Sequence, residues 1–352
     1  MKSKFACTLI LVISVICFAT TMIQAQTDVK NDQSKSGYHL IKKIELGGEG
    51  GWDYLLADSH SRLLYISRSS HVMIMDMDSS KVVGDIPDTK GVHGVALAHD
   101  CGKGFTSNGR DSSVTIFDLK TFKEIAKVKV EKNPDAIIYD KFSKKVFAFN
   151  AGSSSVSVID AAEGKLTVTI SLDGKPEFAV SDGKGTVYVN LEDKNEVVAI
   201  DSKELKIKSR WSLAPGEGPS GLAIDRKNQR LFSVCENKKM IVLDAATGKS
   251  VADVPIGKGT DAAAFDADGQ LAFSSNGEGT LTIVKEDSKD AFSVIENLPT
   301  QKGARTMTID TKTHHVFLAA ASYGVAPEPT AEHPHPRPPM LPNSFVILEY
   351  GK

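Results

Sequence analysis

Seven residues with side chains able to bind or activate a ligand occur at regular intervals along the chain: Asp53, His93, Asp135, Glu177, Ser220, Asp261 and Arg305. Four of them are carboxylates, and carboxylates held close together raise one another's pKa or recruit a cation. Carboxylate oxygens suit Ca²⁺ and Mg²⁺, and a histidine among them adds tolerance for Zn²⁺ or Mn²⁺. The candidate ligands for a divalent metal ion are Asp53, His93, Asp135, Glu177 and Asp261.

Two other interpretations of the same residues compete with the metal site. In one, Arg305 pairs with a neighbouring acid and water fills the remaining space. In the other, the residues bind a polar organic ligand directly. All three interpretations require a fold that brings together residues far apart in the sequence.

The intervals follow a repeat of about forty residues that occurs seven times. Its first marker, an apolar run ending in aspartate, falls at Asp58, Asp140, Asp225, Asp266 and Asp310, with variants at Asp100 and Asp182. A second marker ends later in the unit at Asp76, Asp118, Asp160, Asp201 and Asp244. The candidate residues lie five positions before the first marker, except His93, where a longer turn makes the offset seven. A fixed period in this range is typical of solenoids and propellers.

Within one repeat, four short runs have the composition of β-strands: Ala136–Tyr139, Lys145–Phe149, Ser155–Ile159 and Lys165–Ser171. They are rich in β-branched and aromatic residues and are separated by turn-forming residues. No segment has the length and period of an amphipathic helix. The pattern predicts an all-β, seven-bladed β-propeller with four antiparallel strands in each blade.

The last repeat has only three predicted strands, Arg305–Ile309, His315–Ala320 and Ser344–Glu349. A fourth strand-like segment, Tyr38–Leu46, precedes the first complete repeat. Pairing of this segment with the last repeat would close the ring and cover its open edges. We therefore expect the last blade to be closed by the N-terminal strand.

The ends of the second strands resemble the Tyr-Val-Thr-Asn element of the YVTN β-propeller repeat family. The matching segments are Val146–Asn150, Val187–Asn190 and Phe273–Asn276. The resemblance covers essentially the whole predicted domain. It implies an exported binding or surface protein and no particular chemistry.

Arg68 and Arg110 lie at matching offsets in adjacent repeats, where the second strand ends. We expect them to be neighbours at the channel mouth, where two guanidinium groups would suit a carboxylate or phosphate. The alternative is a salt bridge to Asp111 or Glu192. The asparagines at the same offset are expected to satisfy the backbone of their turns: Asn108, Asn150, Asn190 and Asn276.

A proline-rich insertion, residues 322–343, separates the second and third strands of the last repeat. Proline makes such a segment stiff, and a connection of this length is typical of a functional lid. We expect it to lie over the channel mouth. His333 and His335 could add ligands to a bound metal, or they are solvent-exposed turn residues.

Residues 1–25 have a basic start, an apolar stretch and a small residue, Ala25, which is the pattern of a secretory signal peptide. The alternative is an uncleaved anchor. Residues 26–37 are expected to be a disordered lead-in, and 38–352 the propeller. The sequence therefore predicts a periplasmic or secreted protein without a transmembrane segment in the mature chain. Cys101 and Cys235 are placed too far apart for a disulfide.

The formal net charge is −2 and no basic cluster is present, which argues against nucleic-acid binding. A monomer is expected. The leading hypothesis is a binding module that recognises a small polar or anionic molecule, or a partner protein, at the channel mouth. One alternative is a metal-dependent hydrolase of the lactonase kind, in which a channel cation polarises a carbonyl group. Another is a structural, adhesive surface protein, and the sequence leaves open whether the protein is an enzyme.

Overall fold

The computed structural model describes residues 35–330 and 336–352. Within them the chain forms seven four-stranded antiparallel sheets. In each sheet consecutive strands are neighbours, as the repeat predicts. Two single-turn 3₁₀-helices, His99–Cys101 and Ala151–Ser153, lie in turns. In the described part of the chain, no helix is long and apolar enough to cross a membrane. The predicted seven-bladed β-propeller is confirmed.

Each of the first six blades is a meander that runs from the channel outwards. Blade 1 contains β2 (Leu55–Asp58), β3 (Leu63–Ser67), β4 (Val72–Asp76) and β5 (Lys81–Ile86). Blade 2 contains β6 (Val92–Ala98), β7 (Lys103–Asn108), β8 (Ser113–Asp118) and β9 (Glu124–Lys129). Blade 3 contains β10 (Pro134–Asp140), β11 (Lys145–Asn150), β12 (Ser155–Asp160) and β13 (Lys165–Ser171).

The next three blades repeat this order. Blade 4 contains β14 (Pro176–Ser181), β15 (Thr186–Leu191), β16 (Glu196–Asp201) and β17 (Lys206–Ser212). Blade 5 contains β18 (Pro219–Asp225), β19 (Arg230–Cys235), β20 (Lys239–Asp244) and β21 (Ser250–Pro255). Blade 6 contains β22 (Thr260–Asp266), β23 (Leu271–Asn276), β24 (Thr280–Ser288) and β25 (Ala291–Pro299).

Blade 7 is built from both ends of the described chain, as predicted. It contains β26 (Thr306–Asp310), β27 (His315–Ala320), β28 (Val346–Gly351) and, as its outermost strand, β1 (His39–Glu45). The strand β1 pairs antiparallel with β28, with Ile44 opposite Ile347. Because this pairing is non-local, it joins the two ends of the repeat array and covers the edge of β28.

The hydrophobic core lies between neighbouring blades, and the middle strands are the most buried. In blade 3, five of the six residues of β11 and five of β12 are buried, whereas β13 is almost entirely exposed. The innermost strand β10 has four buried and three half-buried residues. It is less buried than β11 because it lines the channel.

The repeated aspartates stabilise turns. In the second marker, the carboxylate of Asp118 accepts hydrogen bonds from the backbone N–H groups of Lys120 and Thr121 at 3.0 and 2.8 Å. In the first marker, Asp140 accepts from Ser143 N at 2.9 Å and from the Ser181 hydroxyl of blade 4 at 2.6 Å. These Asx-type turns explain why the repeat retains aspartate at fixed positions.

Blade 6 departs from the pattern where Lys285 replaces the second-marker aspartate. There the strand pairing continues past Lys285 to Ser288, which lies opposite Ala291. The longer hairpin therefore needs no aspartate turn at position 285. Arg230 of blade 5 contacts the end of this hairpin, where its guanidinium lies 2.7 Å from Asp290.

Candidate functional site

The predicted ring of polar residues surrounds one cavity at one end of the channel. Five members lie second in their innermost strands, and Asp53 and Arg305 lie just before theirs. The cavity has a volume of about 140 Å³ and is lined by residues from all seven blades, including Asp53, His93, Asp135, Glu177, Ser220, Asp261 and Arg305. The equivalent offsets of the repeat therefore converge in space.

His93 joins two of the carboxylates. Its Nδ1 lies 2.5 Å from Asp53 Oδ2 and 3.6 Å from Asp135 Oδ1. Burial opposes protonation of the imidazole, but the hydrogen bond to Asp53 and the charges of Asp135, Asp53 and Glu177 outweigh it and raise the His93 pKa to about 9. At neutral pH His93 is therefore a cation bridging two acids.

The Nε2 edge of the His93 imidazole lies against a turn of blade 2. A Cβ on Gly109 would lie 2.7 Å from His93 Nε2 and 2.5 Å from Asn133 Oδ1. Only glycine leaves room for this contact. The contact directs Nε2 towards the turn and Nδ1 towards the carboxylates.

Asp53, His93 and Asp135 have the arrangement of a possible metal site. One ligand atom from each lies within 4.8 Å of the others. Two carboxylates and one imidazole match the donor preferences of Zn²⁺ or Mn²⁺. The proton on His93 Nδ1 occupies the position that a metal ion would take, so metal binding would have to release it.

Three carboxyl groups of the ring have raised pKa values. Burial, followed by the nearby charge of Asp135, raises the pKa of Glu177 to about 8. Burial also raises the pKa of Asp135 to about 6, against the opposing charge of His93. Burial raises the pKa of Asp261 to about 6 as well, although Arg305 opposes it. Arg305 Nε lies 3.8 Å from Asp261 Oδ2, which matches the ion pair expected in one of the sequence interpretations.

Sequence reasoning missed Lys175, which lies two positions before Glu177. Its Nζ is 3.5 Å from Glu177 Oε2 and forms a closer ion pair with Glu192. Glu177 Oε2 is buried and has no hydrogen-bond partner within the described structure. The offset rule considered one residue per repeat and could not detect this lysine.

The floor of the cavity is an aromatic pair that sequence reasoning also missed. Tyr54 of blade 1 stacks on Phe178 of blade 4, with ring centroids 5.4 Å apart and an interplanar angle of 19°. The Tyr54 hydroxyl donates to the Glu177 carbonyl oxygen at 3.2 Å. Tyr54 directly follows Asp53 in the sequence, and Phe178 directly follows Glu177. A ring residue followed by an aromatic residue was therefore the sequence signal that could have revealed this pair.

The expected pair of mouth arginines does not form a binding fork. Arg68 is 1% exposed, and its guanidinium donates to the carbonyl oxygens of Gly47, Glu49 and Gly50 at 2.9 to 3.1 Å. It also lies 3.9 Å from the centre of the Phe345 ring. Arg68 therefore holds the glycine-rich loop in place and is turned away from any ligand. Arg110 is exposed, and no comparable group of carbonyl oxygens accepts from its guanidinium in the described part of the chain.

Three of the four asparagines near the ends of the second strands donate to side-chain hydroxyls, and the fourth donates to the backbone of the next blade. Asn150 Nδ2 donates to the hydroxyls of Ser155 and Ser157 at 3.1 and 3.0 Å. Asn108 and Asn276 make the equivalent bonds in blades 2 and 6. Asn190 instead donates to the Ser220 and Gly221 carbonyl oxygens of blade 5. The predicted turn role is wrong because these side chains point into the blade, where a hydroxyl or carbonyl is available.

The described parts of the proline-rich insertion form a short antiparallel stem. Tyr323 pairs with Met340, and Gly324 N donates to the Pro339 carbonyl oxygen at 2.9 Å. At its base, Gln301 Nε2 donates to the Ala321 carbonyl oxygen at 3.0 Å. His333 and His335, the predicted additional ligands, lie outside the described residues. The signal segment, residues 1–25, lies outside them too.

Cys101 and Cys235 are both free, as expected. Burial raises the pKa of the Cys235 thiol to about 12, so this thiol is inert at neutral pH. Burial also raises the pKa of the Cys101 thiol.

The strand topology and the ringed channel define the class of protein: a seven-bladed β-propeller. Hydrazine synthase from Kuenenia stuttgartiensis shares this architecture, with 17% identity and a TM-score of 0.67 over 78% of this chain and 94% of that one. The chain is also similar to the structure of U3-55K, with 10% identity and a TM-score of 0.71 over 88% of this chain and 98% of that one. The WD40 repeats of RRP9 have 9% identity and a TM-score of 0.73 over 89% and 97%.

No protein-family model matches the sequence, and no curated protein matches it either. At identities this low, the structural neighbours show the fold alone. The comparisons therefore support a seven-bladed β-propeller with WD40-repeat neighbours, and its function must be inferred from the site.

Proposed function

We propose that the protein is a ligand-binding propeller whose channel mouth binds a small polar ligand carrying a positive charge. The observation that carries the proposal is the convergence of four carboxylates on one cavity of about 140 Å³. Burial is the largest cause of the raised pKa values of three of these carboxyl groups, and the charges of neighbouring carboxylates raise them further. A ligand cation would offset these negative charges.

A cation fits this cavity better than the anion that the two arginines had favoured. Arg68 is committed to the glycine-rich loop, and Arg305 faces Asp261. Glu177 Oε2 is a buried acceptor without a hydrogen bond, and an ammonium group could donate to it. An anion placed here would instead meet several carboxylates at short range.

The pH dependence of binding separates a cationic from an anionic ligand. A cation must displace the proton held by Glu177, whose pKa is about 8, so its affinity should rise as pH increases from about 6 to about 9. An anion would show the opposite trend. We expect ethylenediamine to raise the melting temperature of the full chain more at alkaline pH, and succinate to have no effect.

A matched pair of variants locates the binding. Asp135→Asn removes a carboxylate from the cavity, whereas Asp287→Asn makes the same change on an exposed hairpin. Asp135→Asn should weaken amine binding by about tenfold, which is the loss of one charge-assisted contact, and Asp287→Asn should leave it unchanged. Stabilisation by succinate but not by amines would refute the proposal.

The three-residue cluster favours a second candidate, a metal-dependent hydrolase of the lactonase kind. Asp53, His93 and Asp135 would hold the metal ion, which would polarise a carbonyl group and lower the pKa of bound water. Glu177, with its pKa near neutrality, would be the proton-transfer group. Metal analysis of protein purified without chelator, together with hydrolysis of a panel of lactones, tests this function. A metal-free protein that gains no activity with Zn²⁺, Mn²⁺ or Ca²⁺ would rule it out.

Membership of the YVTN-type repeat family and export from the cytoplasm complete the proposal. The asparagines of the repeat support the family assignment, because three of them make the same bonds to the third strand. Export is supported by the signal-like pattern of residues 1–25. Mass spectrometry of the protein recovered from its native host should show a chain that begins after Ala25, and an intact N-terminus in the cytoplasmic fraction would overturn the proposal.

A further inference from the structure

A second chamber lies in the same channel, beneath the Tyr54–Phe178 pair. Its volume is about 310 Å³. Its walls come from the innermost strands of four consecutive blades, β2, β6, β10 and β14, and from Tyr65 of β3. Tyr54, Leu55 and Phe178 line both cavities, so the aromatic pair separates them.

The walls of this chamber are uncharged. Among the described residues that line it, none is acidic, basic or histidine. The Tyr139 hydroxyl is held by both carboxylate oxygens of Asp100, at 2.7 and 2.8 Å. The Tyr54 hydroxyl is directed to the Glu177 backbone above. Tyr54 and Tyr139, two of the three tyrosines in the lining, therefore have their hydroxyl groups engaged outside the chamber.

The chamber is a half-open recess of the channel, so its apolar walls are accessible to a ligand. Leu56, Leu97 and Ile138 line the chamber and remain only partly buried, although each is a large apolar side chain. An engineered apolar cavity of roughly 150 Å³ in another protein binds benzene, and this chamber has about twice that volume.

We propose that this chamber is a binding site for a small, uncharged apolar molecule about the size of a two-ring aromatic compound. Binding would remove the apolar surfaces of Leu56, Leu97 and Ile138 from water, which is the driving force for association. No charged side chain is available to recognise an ionic ligand. The site is distinct from the acidic mouth, because the mouth selects charge and this chamber excludes it.

Naphthalene is the test probe, titrated into the full chain and followed by its fluorescence. We expect saturable binding of one molecule per chain that is insensitive to salt and unchanged by Glu177→Gln at the mouth. Leu97→Trp and Leu56→Trp fill the chamber and should weaken binding by about tenfold or more. Leu166→Trp, on the exposed outer strand β13, is the matched control and should bind like the wild type.

Intermolecular NOEs test the location without any substitution. In the wild-type protein, naphthalene should show NOEs to the methyl groups of Leu56 and Leu97. The absence of saturable binding, NOEs confined to other residues, or wild-type affinity in a folded Leu97→Trp variant would each overturn the proposal. Loss of amine binding at the mouth would leave this result unaffected, so the two sites fail independently.

Discussion

The substitution Glu177→Gln should remove one contribution to the pH dependence of this protein's stability. Glu177 keeps its proton in the folded state up to a pKa of about 8, whereas an ordinary glutamate releases it near 4.5. Between these values the folded state binds more protons than the unfolded state. The free energy of unfolding therefore falls as pH rises through this window, and it is highest below the ordinary pKa.

The magnitude follows from the size of the shift. Each pKa unit corresponds to about 1.4 kcal/mol, so the full shift corresponds to an upper bound of about 5 kcal/mol. The Glu177 side chain is 23% exposed, and water and Lys175 stabilise the ionised form in part. We therefore expect about 2 to 3 kcal/mol. Glutamine resembles the protonated acid, so the variant should match the wild type near pH 5 and exceed its stability by this amount near pH 9.

Urea unfolding and thermal melts near pH 5, 7 and 9 measure the effect. At the alkaline end, the variant's melting temperature should be higher by about 3 to 5 °C for a chain of this length. Glu204→Gln, on an exposed turn of blade 4, is the matched control and should track the wild type. A variant that follows the wild-type curve, or that is less stable near pH 9, would show that Glu177 ionises in the folded state without cost.

Two further substitutions test the structural roles of charged residues. Burial opposes ionisation of Asp310, but bonds that include those from Arg62 and Thr313 outweigh it and hold the Asp310 pKa at about 2. Asp310→Asn weakens these bonds, so the free energy of unfolding near pH 7 should fall by about 2 kcal/mol. Urea titrations should show that this difference vanishes as pH falls through about 2. Arg68→Met leaves three loop carbonyl groups without their donor and should lower stability by about 2 to 4 kcal/mol, whereas Arg110→Met should change it by less than about 0.5 kcal/mol in the same melts.

Much of the fold could be predicted because each repeat encodes its own turns. The aspartates at positions such as 118 and 140 bond to backbone groups two or three residues away, so their spacing reports local structure directly. Closure by the N-terminal strand was predictable by counting strands. The fully buried middle strands were not, because alternation along β12 does not reveal that blades cover both of its faces.

The ring of polar residues could be predicted for a related reason. In a closed propeller, equal sequence offsets become equal positions around the axis, so a single count placed Asp135 and Asp261 at the same cavity. Arg68 could not be placed in this way. Its direction is set by the glycine-rich loop and by Phe345 of blade 7, contacts that no offset within its own repeat contains.

The Tyr54–Phe178 pair lies between the two cavities of the channel and lines both of them. Tyr54 is half-buried, and burial, followed by the charges of Asp135 and Glu177, raises its pKa well above the ordinary value. The two rings line the cavity beside the carboxyl groups, and burial is the largest cause of the raised pKa values of Glu177, Asp135 and Asp261. The stacked rings line both cavities, and burial at the upper one gives its carboxyl groups pKa values of about 6 to 8, so a cation that binds there at neutral pH has few protons to displace apart from that of Glu177.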